Sequence, residues 1–520
     1  MALLQVILFL LLCAVALGWV ARHFQFPYPI ALVIGGGALG FVPRLPQLQF
    51  DPQFLLVLVL PPILYQAALL TSWRDFKANI RPIGLLAIGL VIVTTLAVGA
   101  TLKFLIPDIP WSAAFVLGAI VSPPDAVAAT AILSRLNIPR RVVTVLEGES
   151  LVNDATGLVI YKFAVAAVLT GAFSLWQASL EFVGVAVGGV VVGVLMARLF
   201  VFIHRYLGDA FIEVLTTLAV PYVAYILAES LHLSGVLAVA AAGLVRGRYA
   251  PEIVSAEMRI IARSVWNLLV FLLSSLIFIL IGMQLSGIVS RLTDYSLAQL
   301  FLYGAFVSVV AVIVRFAWVY PATYLSLMLR ASLGQFVAPP VEGEVFIMAW
   351  CGMRGIVSLA AALALPPTLA DGNAFPERDL IIFLTFVVIA VTLVVQGLSL
   401  RPLIRRLRLG RDWSLQEEQQ RAKMALGKAA IAAIDAAAAK DEIPDELAER
   451  IRAEFAEKIT LSVPGGLMLS HSGADDARRL RAAAVKAERR ELIRLWRENQ
   501  ISDEVLHYIE EDLDYQESRI

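Results

Sequence analysis

The chain has 520 residues, 59% of them hydrophobic and 16% charged, with a mean hydropathy of +0.80. A balance this apolar excludes the water-soluble globular classes and marks an integral membrane protein. The 42 basic and 42 acidic residues cancel but are unevenly placed, and no nucleic-acid partner is expected.

Apolar stretches long enough to span a bilayer, about 17 to 25 residues each, follow one another along the first 400 positions. They lie near 3–22, 28–42, 53–71, 82–105, 111–134, 142–171, 176–204, 210–231, 233–247, 264–286, 297–329, 344–366 and 380–400, thirteen in all. The first lacks a basic leader and is read as a retained helix. Cys13 and Cys351 both fall within apolar runs, so they build neither a disulfide framework nor a CxxC metal site.

Charge orients the spans. Alternate connections hold Arg22, Arg74, Lys77, Arg81, Arg135, Arg140, Arg141, Arg198, Arg205, Arg246, Arg248, Arg259, Arg263 and Arg330, whereas the opposite ones hold only Arg44, Lys103, Arg291 and Arg378. By the positive-inside rule the N-terminus lies outside and the C-terminal region in the cytoplasm of a multi-pass cell-membrane protein. The asymmetry favours an odd number of crossings. Two regions are expected: a transmembrane domain over 1–408 and a cytoplasmic helical domain over 409–520, where Ala, Glu, Arg and Leu dominate.

The sixth span carries "GESLVNDATG", residues 148–157. A charged side chain at mid-bilayer costs at least about 2.5–3.5 kcal/mol, so an intramembrane carboxylate is a functional hypothesis by default. On a helix Ser150, Asn153, Asp154 and Gly157 share a face, with Glu149 to one side. Their converging oxygens suit a hard cation; for Ser150 and Asn153 the alternative is a polar seam between helices. Lys162, two turns beyond Asp154 and about 80° around the helix, is badly placed to join them and reads as a snorkelling or packing residue.

The fifth span is interrupted by "SPPD", Ser122–Asp125. Pro123 and Pro124 remove two backbone donors and break the helix, freeing carbonyls and exposing the amino end of a half-helix that Asp125 either caps or serves as part of the site. The twelfth is interrupted at Gly352, Arg354 and Gly355. With the seventh span as linker, the two breaks occupy corresponding positions in two six-helix halves, the pattern of an inverted-repeat transporter with crossed discontinuous helices. Arg354 would compensate helix ends at the crossing or partner a carbonyl or carboxylate. Arg315, in mid-span, needs an anion, and Glu149 is the natural one, giving a structural ion pair.

Together these residues resemble the monovalent cation/proton antiporters, which include bacterial sodium/proton antiporters and animal sodium/proton exchangers. The resemblance rests on "VLVLPPILYQAAL" (57–69), "SWRDFKANIRPI" (72–83), "SPPDAVA" (122–128), "GESLVND" (148–154) and "GMRGIVSLA" (352–360), in the family's order, and covers roughly the first 400 residues. It implies an all-α fold of thirteen transmembrane helices, a homodimer and rocking or elevator-like alternating access. Residue by residue, it makes Asp154 the carboxylate that binds a monovalent cation or a proton. Ser150 and the backbone around Pro124 become further ligands, Asp125 and Asn153 organisers of the crossing, and Glu149 with Arg315 its structural pair. One titratable carboxylate at the Asn-Asp pair implies electroneutral exchange of one proton for one Na+, Li+ or K+, serving pH homeostasis. The cation is cargo, and no cofactor is expected. Gln66 stands where many relatives have Glu, and Ala126 where Pro commonly follows the Asp.

Rival readings are a cation channel built on the same oxygens and a transporter of organic anions using Arg315 and Arg354. An enzyme is not expected, since no HExxH or Ser/His/Asp set is present among only five histidines. Gly184, Gly188, Gly189 and Gly193 form small-xxx-small patterns that suit either intramolecular packing or a dimer contact. The tail reads as amphipathic helices broken at "EIPDE" and "SVPGGLMLSHSGADD", either a solvated appendage or a module for regulatory contacts.

Overall fold

The computed structural model describes residues 2–23, 28–42, 52–125, 129–130, 133, 138–171, 175–332, 341–369, 372–407, 409, 413–439, 445–461 and 475–518. Ala126, much of the second half of the fifth predicted span and most of both tail breaks lie outside them. The regular elements among the described residues are all helices, with one isolated β-bridge between Thr368 and Ala374. Seven helices among them are long and apolar enough to cross a membrane, and several shorter apolar helices accompany these. Many apolar side chains remain exposed on these helices, which is what a lipid-facing surface requires.

The helices are α1 (Ala2–His23), α2 (Tyr28–Gly40), α3 (Pro52–Leu70), α4 (Trp73–Ala78), α5 (Ile80–Leu105), α6 (Trp111–Val121) and α7 (Arg140–Thr170). Then come α8 (Leu175–His204), α9 (Ala210–Ser230), α10 (Gly235–Ile253), α11 (Ala256–Arg291), α12 (Leu297–Ser332), α13 (Glu342–Trp350), α14 (Ile356–Leu363) and α15 (Arg378–Leu407). The tail holds α16 (Trp413–Ala438), α17 (Asp445–Leu461), α18 (Asp475–Arg497) and α19 (Asp503–Glu517).

The chain divides into two compact units. The first comprises residues 1–200, 218–247 and 267–411. Its core is built from α6, α7 and α12 to α15, and α2 lies close against α11 because glycine permits it: a Cβ on Gly282 would strike the backbone of Gly37 and Val33. Two helices carry a widened π-turn, Leu85–Leu90 in α5 and Thr392–Gln396 in α15. At the first, the indole N–H of Trp318 donates to the Leu85 carbonyl at 3.0 Å.

The second unit comprises 201–217, 248–266 and 412–520, so it is more than the tail beyond residue 408 that composition marks off. Leu426, Ile434, Ile451, Phe455, Leu480, Leu492, Leu506 and Leu513, from α16 to α19, interlock in its core. An ionic cluster joins this core to the start of α11: Arg259 bonds Asp514 at 2.7 Å and 2.8 Å and Glu510 at 3.3 Å, and Arg489 bonds Asp514 at 2.7 Å and Glu517 at 2.9 Å. The cluster is nearly closed to water, so its charges are screened little.

The glycines of α8 meet their own chain. A Cβ on Gly188 would strike Leu233, one on Gly189 would strike Ser234 and one on Gly193 would strike the backbone of Ala238, while Gly184 faces open space. Three of the four therefore serve packing within the chain.

Candidate functional site

The first break follows from its prolines. α6 ends at Val121, and Ser122 to Asp125 continue as non-helical backbone that is buried except at Asp125. The second break runs from Cys351 to Gly355 between α13 and α14, all of it buried. The two segments touch directly: the Asp125 N–H donates to the Met353 carbonyl at 2.7 Å.

Each broken helix leaves carbonyls at its C-terminal end that have no helical donor. Buried arginines take them. Arg354 donates from Nε to the Val121 carbonyl of α6 at 2.8 Å, and its guanidinium also bonds the Gly352 carbonyl. Arg315 donates to the Met348 carbonyl of α13 at 3.0 Å and 3.2 Å. The backbone N–H of Arg354 is in turn held by Thr392 Oγ1 at 3.1 Å.

The structure brings Glu149 and Arg315 together as a two-pronged pair at 2.5 Å and 2.8 Å, each 1% exposed. Because Arg315 also holds α13, the pair ties α7 to the second broken span. A buried pair with every prong used is stable only as a unit, since removing either partner strands a charge out of water.

Asn153 is fully buried and donates from Nδ2 to the Pro124 carbonyl at 3.0 Å. A carbonyl can only accept, so the amide cannot be flipped, and its Oδ1 has no hydrogen-bond partner among the described residues. Asp154 follows it, 6% exposed, close enough to Asp125 for the two charges to interact. Ser150 lies half-buried one turn before Asp154 on the same face. Gly157, one turn beyond, lets Pro123 approach: a Cβ there would stand 3.0 Å from its ring. The Asp125 carboxylate rests against Gly355, the residue preceding α14, and a Cβ on Gly355 would overlap it. Asp125 is thus packed against the residue that precedes the second half of the other broken span.

The comparisons with known proteins bear on what this crossing belongs to. The family model described as sodium/hydrogen exchanger, transmembrane, matches residues 7–406. The chain belongs to the sodium/hydrogen exchanger family. An uncharacterised Na+/H+ exchanger of Mycobacterium bovis is 34% identical over 99% of this chain and 96% of its own length. A sodium, potassium, lithium and rubidium/H+ antiporter of Bacillus subtilis is 31% identical over 97% of this chain and 76% of its own. The solved sodium proton antiporter MjNhaP1 of Methanocaldococcus jannaschii shares the fold, with a TM-score of 0.62 at 20% identity over 78% of this chain and 99% of that one.

Several contacts of this exchanger-family chain were not legible in its residues. Thr392 carries no motif, and the carbonyls of Val121, Met348 and Met353 belong to apolar residues. Lys162 pairs with Glu229 at 2.9 Å and 3.0 Å, away from the crossing, and Gln66 donates to Asn267 at 3.1 Å. Their only signal was a polar group in an apolar run needing a partner.

Proposed function

We propose that this multi-pass membrane protein is a secondary antiporter that exchanges a monovalent cation for a proton, with Asp154 as the group that carries one or the other. The observation that carries the reading is the placement of a buried Asp154 beside Asn153, whose amide is anchored to the carbonyl of the first break. A bare carboxylate out of water is costly, and either a proton or a cation relieves that cost. Both cannot occupy the same oxygens. The empty carrier therefore crosses its barrier poorly, and loaded forms cross in exchange for one another.

Ser150, the oxygen of Asn153 and the backbone at Pro124 are proposed as the cation's further oxygen ligands, with Asp125 and Arg354 holding the crossing in register. Hard oxygen donors suit Na+, Li+ or K+. One carboxylate at the Asn-Asp pair supports an electroneutral exchange of one for one. The same reading includes thirteen crossings in two inverted halves, the N-terminus outside and the second unit in the cytoplasm, supported by the distribution of arginine and lysine. A homodimer is carried by the family resemblance, and the packing of Gly188, Gly189 and Gly193 against Leu233, Ser234 and Ala238 supports an intramolecular role for that stripe. Against an organic-anion carrier, both buried arginines are already engaged by Glu149 and by backbone carbonyls.

The test is dissipation of an imposed pH gradient by Na+, Li+ and K+ in vesicles holding the purified protein. Asp154→Asn is expected to abolish it while leaving insertion intact. Retained exchange in that variant, or cation flux indifferent to the opposing proton gradient, refutes the proposal, the second outcome in favour of a channel.

A further inference from the structure

Gln396 has no part in the exchange chemistry as described so far. It closes the π-turn Thr392–Gln396 of α15, is 2% exposed, and neither end of its amide has a hydrogen-bond partner among the described residues. Buried primary amides are normally paired at both ends, because each unpaired end forfeits its hydration for nothing. A leucine of similar volume would avoid that loss. Widened turns of this kind recur where a helix serves function rather than stability.

The neighbours of Gln396 along the helix indicate what it faces. One turn before it, Thr392 Oγ1 accepts the Arg354 N–H at 3.1 Å. One turn after it, Ser399 Oγ accepts the indole N–H of Trp350 at 2.9 Å. Positions 392, 396 and 399 share a helix face. The two tethers hold the residues on either side of the second break, Trp350 and Arg354, and Gln396 lies between them along α15. The stretch between them, Cys351 to Met353, is unwound: the Cys351 and Gly352 N–H groups bond Ile347 and Trp350, and the Gly352 and Met353 carbonyls are held by Arg354 and Asp125 rather than by a helix, contacts that a change of arrangement would exchange.

On the antiport reading, on which this rests, the crossing must adopt two arrangements of comparable free energy. A polar side chain idle in one arrangement favours the other whenever it pairs there. We infer that Gln396 is a positioning residue of the exchange cycle, its amide bonding the backbone of Cys351 to Met353 in the alternate access arrangement and not in the one shown. Its unpaired state here raises this arrangement toward its counterpart and keeps the two interconvertible.

The test compares full-length protein, Gln396→Leu and Gln396→Met in reconstituted vesicles. The maximal Na+-driven proton flux is expected to fall at least about tenfold in the Leu variant, with the KM for Na+ within about twofold and the thermal midpoint unchanged or higher. In a Cys13→Ser background, labelling of Cys351 by a small maleimide during turnover should slow alongside the flux, a change that a purely structural amide would not produce. Unchanged flux and labelling overturn the inference. So does a raised KM at unchanged maximal flux, which would make Gln396 a cation ligand, or failure of both variants to fold, which would make its amide necessary in the arrangement shown. Absence of cation-driven proton movement in the unsubstituted protein would instead sink the antiport reading.

Discussion

The peptide N–H of Asp125 donates to the carbonyl of Met353 at 2.7 Å, joining the two broken spans backbone to backbone. A substitution of either side chain leaves that bond chemically possible, so the crossing is vulnerable where a side chain intrudes on it. The carboxylate of Asp125 packs on Gly355, a residue that has no side chain.

Gly355→Ala should therefore push the Asp125 carboxylate aside and reduce exchange by at least about tenfold, as small displacements of positioned groups do. Flux in vesicles checks this, with surface delivery as control. A Gly355→Ala protein exchanging at the original rate would show that the carboxylate position is unimportant.

Arg315 and Glu149 should behave as a unit. Removing one partner, as in Glu149→Met or Arg315→Met, is expected to destabilise the protein by about 3–5 kcal/mol, because the other charge is left buried. The double substitution Glu149→Met with Arg315→Met should cost less than the sum of the two singles. Thermal denaturation of the four proteins in detergent gives the coupling, and strict additivity would contradict a shared role.

Asn153→Leu removes the donor from the Pro124 carbonyl, at a cost of about 1–3 kcal/mol for a buried acceptor left unpaired. If the amide also offers its oxygen to the cation, the KM for Na+ should rise together with the loss of stability. Asn153→Ser, which can still donate, should recover part of both.

Among these contacts, the ones written in the sequence were those that violate composition. A carboxylate at 154, an acid at 149 and an arginine at 315 are costly in an apolar run whatever the fold, and the two prolines at 123 and 124 stop a helix regardless of context. Periodicity then put Ser150, Asn153 and Asp154 on one face without further help. That Arg354 would meet a helix end, carbonyl or carboxylate at the crossing was legible, but not that the acceptor is the Val121 carbonyl, since the two are 233 positions apart and the acceptor belongs to a valine. Asp125 reads either as a cap of the half-helix after its own break or as part of the site, but its contact with Gly355 depends on packing, and the only local feature of Gly355 is its missing side chain.

The ionic cluster of the second unit gives a pH dependence. Burial opposes ionisation of Glu510, but the His507 ring and the guanidinium groups of Arg259 and Arg489 outweigh it and hold its carboxyl below the usual glutamate value. A carboxylate depressed on folding contributes stability that is complete above its unfolded value and lost as pH falls through the folded one. The protection of α19 amides in the full-length protein, corrected for the intrinsic exchange rate, should accordingly fall only in the acid range, as pH drops through a folded value that lies below 4.5. Glu510→Gln should exchange faster at neutral pH and lose part of the acid dependence. A variant indistinguishable from the original at both pH values would remove Glu510 from the cluster's stabilising charges.

On the proposed reading, with Glu149 committed to Arg315, the charged side chains among the described residues that meet at the crossing are the carboxylates of Asp125 and Asp154 and the guanidinium of Arg354. One unit of negative charge is left over. A single proton or alkali ion cancels it, and a divalent ion would overshoot and be penalised like any other uncompensated charge at that depth. On the proposed reading the membrane voltage then has little grip on either loaded passage, and the direction of exchange follows the two concentration ratios alone.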